Sequence, residues 1–221
     1  MVGPDSALRR LTRDVGKLLQ PYGFDGSEAT WVRVAPGGVA SVRRTRIVRT
    51  WTDGHQILRF GLGLAATPTA WWEFATWRNT TLGLPPTPLE QAIGPGLIDE
   101  RALPADLTDP WSLRVDPTRA GNPALQADVD TIRADLPRRV HAYARRALRL
   151  LEPDGYLHEL LADSNPTLGT REAIVVLLAD HGPTAQLDEA IAALHTALAE
   201  LDESTYAEEV IDYVRRRAAL V

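Results

Sequence analysis

Four arginines fall within seven positions, Arg43-Arg44-Thr45-Arg46-Ile47-Val48-Arg49, in a stretch otherwise made of β-branched residues. A guanidinium is a planar fork of N–H donors that meets a carboxylate or phosphate with two parallel bonds, so arginines on a strand could clamp an anion. Strict alternation places Arg44 and Arg46 on one face and Arg43 and Arg49 on the other. Such runs more commonly form a solvated face or are neutralised by ion pairs within the chain. The second conspicuous group is aromatic: Trp71, Trp72, Phe74 and Trp77. Exposed rings can stack on a base, a sugar or a partner's side chain, whereas most large aromatics serve packing. At a spacing of one, Trp71 and Trp72 cannot both face inward, which sets one of them near the surface. Arg44, Arg46, Trp71 and Trp72 are therefore the candidate binding residues.

Other chemistry finds little support. None of His55, His141, His158, His181 and His195 sits at the spacing of a zinc site, and His158-Glu159 is a lone dipeptide that a helix would carry at its surface. Asp128-Val129-Asp130 and Asp163-Ser164-Asn165 resemble pieces of a calcium loop but lack its glycine and distal glutamate. Gly61-Leu62-Gly63 lacks the third glycine of a dinucleotide loop and lies in a strand pattern. Ser41, Ser112 and Ser164 occupy no nucleophile elbow. No catalytic residue, metal or cofactor is expected.

The 221 residues include no cysteine, which excludes disulfides and thiolate metal sites. A hydrophobic content of 44% with 24% charged residues is enough to bury a core and argues against disorder. Lys17 is the single lysine beside 23 arginines, a signature of GC-rich bacterial coding. Residues 1–64 carry ten basic against five acidic side chains, so the net charge of −5 divides into +5 there and −10 beyond. That asymmetry marks either an electrostatic contact face or a basic sheet packed on its own acidic helices. The first residues, Met1-Val2-Gly3-Pro4-Asp5-Ser6, do not begin a secretory signal, and apolar runs such as 173–179 are too short to span a bilayer. A cytoplasmic protein with no membrane partner is expected.

The elements that would position these groups follow from periodicity. Leu8, Leu11, Val15, Leu18 and Leu19 predict an opening helix, capped by Asp5 or Ser6 and ended at Pro21 and Gly23. Three strand-like runs follow: 30–34, 39–51, and 56–64 after an Asp53-Gly54 turn. In the last, Leu58, Phe60, Leu62 and Leu64 share one side and Arg59 points the other way. Residues 65–122 read as irregular around Pro85-Pro86-Thr87-Pro88, with a further edge strand at 110–115. Beyond Pro123 the pattern is helical: 124–136, 137–151 with Pro137 as a kink or first-turn residue, a short helix ending at Leu161, 171–180 capped by Thr170, a helix capped by Thr184 with Leu187, Ile191, Leu194, Leu198 and Leu201 as its stripe, and a last helix from Ser204. The expected class is α+β. An α+β unit at 1–122 sets an N-terminal helix on an antiparallel β-meander, and an all-helical region at 123–221 packs on or beside it.

One resemblance accompanies this order. The helix end Leu18-Leu19-Gln20-Pro21-Tyr22-Gly23-Phe24, the strand Thr30-Trp31-Val32-Arg33 and the run Leu58-Arg59-Phe60-Gly61-Leu62-Gly63-Leu64 resemble the DUF-4304 family of bacterial proteins over about 60 residues. The family's pattern more often has a polar residue where this chain has Gly61. Its members have no established activity, so the resemblance implies a fold, supplies no catalytic residue, and brings an immunity-like role to mind only through family context.

Three functional expectations follow. The first is a non-catalytic protein-binding or regulatory factor whose partner is another protein. The second is an enzyme that holds a small anionic substrate with Arg44 or Arg46, converging in a pocket with a carboxylate or His55. The third, nucleic-acid binding through the basic unit, is disfavoured by a pI of about 5.6. The stripe of the 184–201 helix leaves room for a homo-oligomer, with packing inside the chain preferred.

Overall fold

A computed structural model describes residues 3–52, 55–94, 96–98, 102–118, 121–201 and 203–221. The fold is α+β, with an N-terminal helix, antiparallel strands and C-terminal helices. Helix α1 (Pro4–Leu19) buries Ala7, Leu8, Leu11, Val15 and Leu19 along one stripe. Its cap is Gly3 with Pro4 in the first turn, and neither Asp5 nor Ser6 caps it. Proline there gives up an amide that would have no helical partner anyway.

The strands are β1 (Asp25–Ser27), β2 (Thr30–Ala35), β3 (Gly38–Arg44), β4 (Val48–Thr52), β5 (His55–Phe60), β6 (Leu62–Pro68) and, later, β7 (Trp111–Arg114). They form two antiparallel sheets, ordered β1-β2-β3-β6 and β4-β5-β7. The expected edge strand at 110–115 is β7, paired with β5. The single strand expected at 39–51 is two strands in different sheets, and the run through Leu64 divides likewise at Gly61. The Asp53-Gly54 turn lies outside the described residues.

Register explains the division. Arg44 is opposite Leu62 at the end of one ladder, and Val48 is opposite Arg59 at the start of the next. Three residues, 45–47, therefore face two, Phe60 and Gly61, which is a bulge of one extra residue. The Thr45 amide donates to the Gly61 carbonyl at 2.9 Å, and the Gly61 amide donates back to the Thr45 hydroxyl at 2.8 Å. Along the unbulged strand the alternation holds: Leu58, Phe60, Leu62 and Leu64 are all buried. Along the bulged strand it flips. Arg49 pairs with Leu58 and so shares the face of Arg44, not that of Arg43 as strict alternation requires.

Helix α2 (Thr69–Thr81) follows β6, in a stretch where the sequence pattern assigns no element, and ends before the irregular connection at Pro85-Pro86-Thr87-Pro88. A short helix, α3 (Ala105–Thr108), precedes β7. The long α4 (Gln126–Arg149) is one helix through Pro137, where two helices were expected. It lies beside α1 and against β3, β6 and β7. Then come α5 (Gly155–Leu161), α6 (Leu168–Ala179), α7 (Ala185–Ala199) and α8 (Ser204–Ala218). The cap of α6 is Thr167, whose hydroxyl accepts from the Thr170 amide at 3.2 Å, so the cap falls three residues before the one expected. Thr184 caps α7 as expected, but the stripe ends at Leu198 because Leu201 is exposed.

The hydrophobic core is one cluster running from Ala7 on α1 to Ala218 on α8. Several contacts tie the first 122 residues to the rest. The Trp111 indole N–H donates to Asp135 at 2.9 Å, with the Arg139 guanidinium 4.7 Å above the ring. Phe74 and Trp77 pack on Tyr213. Arg217 binds both Glu73 and Asp180. At the β2–β3 turn, a Cβ on Gly37 would lie 2.1 Å from the Leu151 carbonyl oxygen just beyond α4, an approach only glycine allows. Gly37→Ala is expected to lower unfolding stability by about 2 kcal/mol, read as a fall in the thermal midpoint of several degrees. An unchanged midpoint would show that the turn does not press on that carbonyl.

Candidate functional site

The four candidate residues do not form one surface. Arg44 shares the face of Leu62 and lines a void of about 10 Å³ with Leu11, Val15, Trp31, Phe60, Trp111 and Leu136. Its Nε has no hydrogen-bond partner, and burial pushes the guanidinium below its ordinary pKa. Arg46, in the bulge, is exposed. Trp71 and Trp72 sit on α2, half-buried. Trp71 stacks on Phe74 at 5.3 Å, and the Trp72 indole donates to the Thr87 carbonyl at 2.7 Å. Their rings are thus spent on packing and on fastening the segment after α2.

The inner ribbon is not an open cationic face. Val39, Ala40, Ser41 and Val42 are all buried, so β3 is covered on both sides. One side meets α1 and α4. Over the other runs the chain after α2, whose 3-10 turn Leu89–Gln91 lies against β2 and β3 and whose Ala92 carbonyl accepts from the Thr67 hydroxyl at 2.7 Å. The sequence pattern missed this cover because the covering segment has no periodicity of its own.

Beyond the bulge, the arm formed by β4 and β5 exposes apolar side chains. Trp51 is 70% exposed and Val48 is 52% exposed. Around them Arg46, Arg49, His55 and Arg59 are exposed. Arg49 makes an ion pair with Asp5 at 3.1 Å, with both side chains more than half exposed, an arrangement of little strength. Arg46 and Arg59 have no ion pair among the described residues. Residues 45–60, the bulge and the arm, carry Arg46, Arg49 and Arg59 against Asp53, a net charge of +2 on a chain of net −5. Strand β4 is also an open edge. The sequence sets Trp31 and Trp51 near the arginine run, and the strand order puts Trp51 at an edge while Trp31 is buried.

A cleft of about 790 Å³ lies elsewhere, between the Pro36-Gly37 turn, the α4–α5 connection and the end of α6. Its floor is apolar, with Leu148, Leu151, Leu157 and Leu177, and its polar rim is already engaged. His181 meets Asp154 at 2.7 Å, Asp180 is held by Arg217 at 2.5 Å, and the Arg33 guanidinium donates to the Tyr22 carbonyl. Neither Arg44 nor Arg46 nor His55 lines it. Among the described residues no three His, Asp or Glu side chains are grouped to hold a metal ion, and no helix is long and apolar enough to cross a membrane.

Buried polar groups elsewhere are structural. Asp128 takes two side-chain bonds and one backbone bond from Arg114. Burial alone would raise its pKa, but those bonds and the nearby charge outweigh it and hold the carboxyl below the usual range. Bonds from Arg146 likewise hold Glu159 down. Buried Glu172 accepts from the Tyr206 hydroxyl at 2.6 Å and lies 3.5 Å from Arg78.

Comparison with known proteins adds no relative: no family model, curated protein or solved structure matches this chain.

Two predictions test this reading of the buried groups. Burial pushes the Tyr156 phenol up to about 12, and burial followed by the bond to Glu172 pushes Tyr206 to about 12, from an ordinary value of 10.0. A raised folded-state value means that the neutral phenol is favoured in the fold. The resulting stabilisation is complete below pH 10 and is lost as pH rises through 12. Denaturant unfolding should therefore show falling stability across that window, with a shallower fall in Tyr156→Phe; a flat profile would contradict it. Arg44→Met should leave stability within about 1 kcal/mol of the parent or raise it, because the substitution removes a partnerless buried donor. A loss of more than about 2 kcal/mol would show the guanidinium to be a stabilising group.

Proposed function

We propose that the protein is a non-catalytic recognition factor, acting in the cytoplasm, that binds an acidic surface of another protein through its β4–β5 arm. The observation that carries this reading is Trp51, an indole 70% exposed on an edge strand, with Arg49 exposed on the same face, Arg59 exposed on the other and Arg46 exposed in the bulge. Burying such a ring in a partner contributes about 2 kcal/mol or more, and tryptophan and arginine are the residues in which interface energy concentrates. The arm's net charge of +2, with Arg46 of the bulge included, favours a partner of opposite sign and speeds the encounter. The absence of cysteine is consistent with a reducing compartment.

The test is to pan a random peptide library against the full chain and against a variant carrying Arg46→Glu, Arg59→Glu and Trp51→Ala. All three positions are exposed, so the variant should fold with stability within about 1 kcal/mol of the parent. The parent should enrich peptides rich in Asp and Glu, and the variant should lose that enrichment. Enrichment without acidic bias, or its survival in the variant, would remove the proposal.

A further inference from the structure

Hydrogen bonding along the second sheet fixes which amides of β4 remain unpaired. The Val115 amide donates to the Gln56 carbonyl at 2.9 Å, so Gln56 turns its backbone groups towards β7. In an antiparallel ladder, N–H and C=O of one residue point to the same side and successive residues alternate. Leu58 and Phe60 therefore also face β7, while Ile57 and Arg59 face β4. Their partners are Thr50 and Val48. That leaves Arg49 and Trp51 with both N–H and C=O directed out of the sheet, and no hydrogen bond among the described residues reaches these groups. The side chains of the same two residues lie on one face, because Arg49 is opposite Leu58 and Trp51 is opposite Gln56.

We infer that the arm binds its partner by strand addition: an extended acidic segment of a different protein pairs antiparallel with β4 through the backbone of Arg49 and Trp51. This deepens the recognition proposal and rests on it. Main-chain bonds at a sheet edge give affinity that does not depend on sequence, and alternate side chains supply selectivity. A carboxylate on the added strand opposite Arg49 meets a guanidinium that, among the described residues, is held only by an exposed pair with Asp5, and the neighbouring side chain on that face lies against the Trp51 indole. On the opposite face Arg59 offers a second cation beside Val48.

A second copy of the chain is the competing occupant. Self-pairing about Thr50 would set Arg49 of each copy against Trp51 of the other, a cation–π contact. It would also bring two arms of net charge +2 edge to edge, with repulsion that water and salt only partly screen at that range. An acidic strand turns the same charges into attraction. Charge thus favours a foreign acidic segment.

The experiment is NMR-detected amide exchange of the full chain at about 20 mM salt, where surface electrostatics are weakly screened. The probe is a peptide of about ten residues alternating glutamate and valine, with a lysine–valine peptide as control. The expected result is binding of the glutamate peptide alone, with exchange at Arg49 and Trp51 slowed about tenfold or more while Val48 and Thr50, already bonded to β5, hardly change. Binding of the glutamate peptide without slowing at Arg49 and Trp51 would overturn strand addition and leave the recognition proposal standing. Equal or no binding of the two peptides would overturn both. Protection of Arg49 and Trp51 in the peptide-free chain, with sedimentation as a dimer, would assign the edge to a second copy and overturn the acidic occupant.

Discussion

The paired hydrogen bonds between Thr45 and Gly61 sit where one strand of a long hairpin carries a residue more than the other. That surplus residue divides the ribbon. On the inner side β3 and β6 join β1 and β2 and are buried on both faces. On the outer side β4 and β5 join β7, and β4 is left as an exposed edge. A bulge increases the local twist and re-aims the side chains that follow it. Here it returns Arg49 to the face of the leucine row. Without the bulge, Arg49 would face away from Leu58 and its contact with Asp5 at the start of α1 would be lost.

Charge follows the same division. The arginines nearest the core are used internally or lodged in apolar surroundings: Arg33 on the Tyr22 carbonyl, Arg44 over the void beneath the sheet. Several others, on β7 and on the helices, have acids beside them, as with Arg114 and Asp128, Arg146 and Glu159, and Arg217 with Glu73 and Asp180. The bland view of a basic segment neutralised by acidic helices thus describes much of the molecule. It does not describe the arm, where Arg46 and Arg59 have no acid among the described residues.

What the sequence made legible is what periodicity encodes. The α1 stripe, the α7 stripe as far as Leu198, and the row Leu58, Phe60, Leu62, Leu64 each repeat with the period of their element and are buried accordingly. Features that depend on one residue in a tertiary setting were not legible. Nothing in Thr45-Arg46-Ile47 marks an unpaired residue, since the bulge exists only in relation to the partner strand. Pro137 reads as a break because proline removes a helical hydrogen bond, yet packing of α4 against α1 and the sheet keeps the helix continuous. Thr167 and Thr170 are both acceptable caps by type, and the hydroxyl-to-amide geometry decides between them. The candidate site was half legible: the arginine run locates the arm, but the two tryptophans that drew notice are packed, and the exposed one lies at the edge that strand order alone reveals.

An open sheet edge rich in arginine has a second physical reading, as a guard. Proteins blunt exposed edges with charged side chains so that chains do not pair with one another. The arm's arginines serve that end whatever else they do, and repulsion between arms is what disfavours self-pairing. A guard gains nothing, however, from a large apolar ring in the same strand, since exposed aromatic surface promotes the association that charge suppresses. Trp51 at 70% exposure, with Val48 at 52% on the opposite face, is therefore the part of the arm that protection leaves unexplained. Charge that rejects a like edge while an indole rewards contact forms a filter, open to a strand of opposite sign and closed to a copy of the same chain.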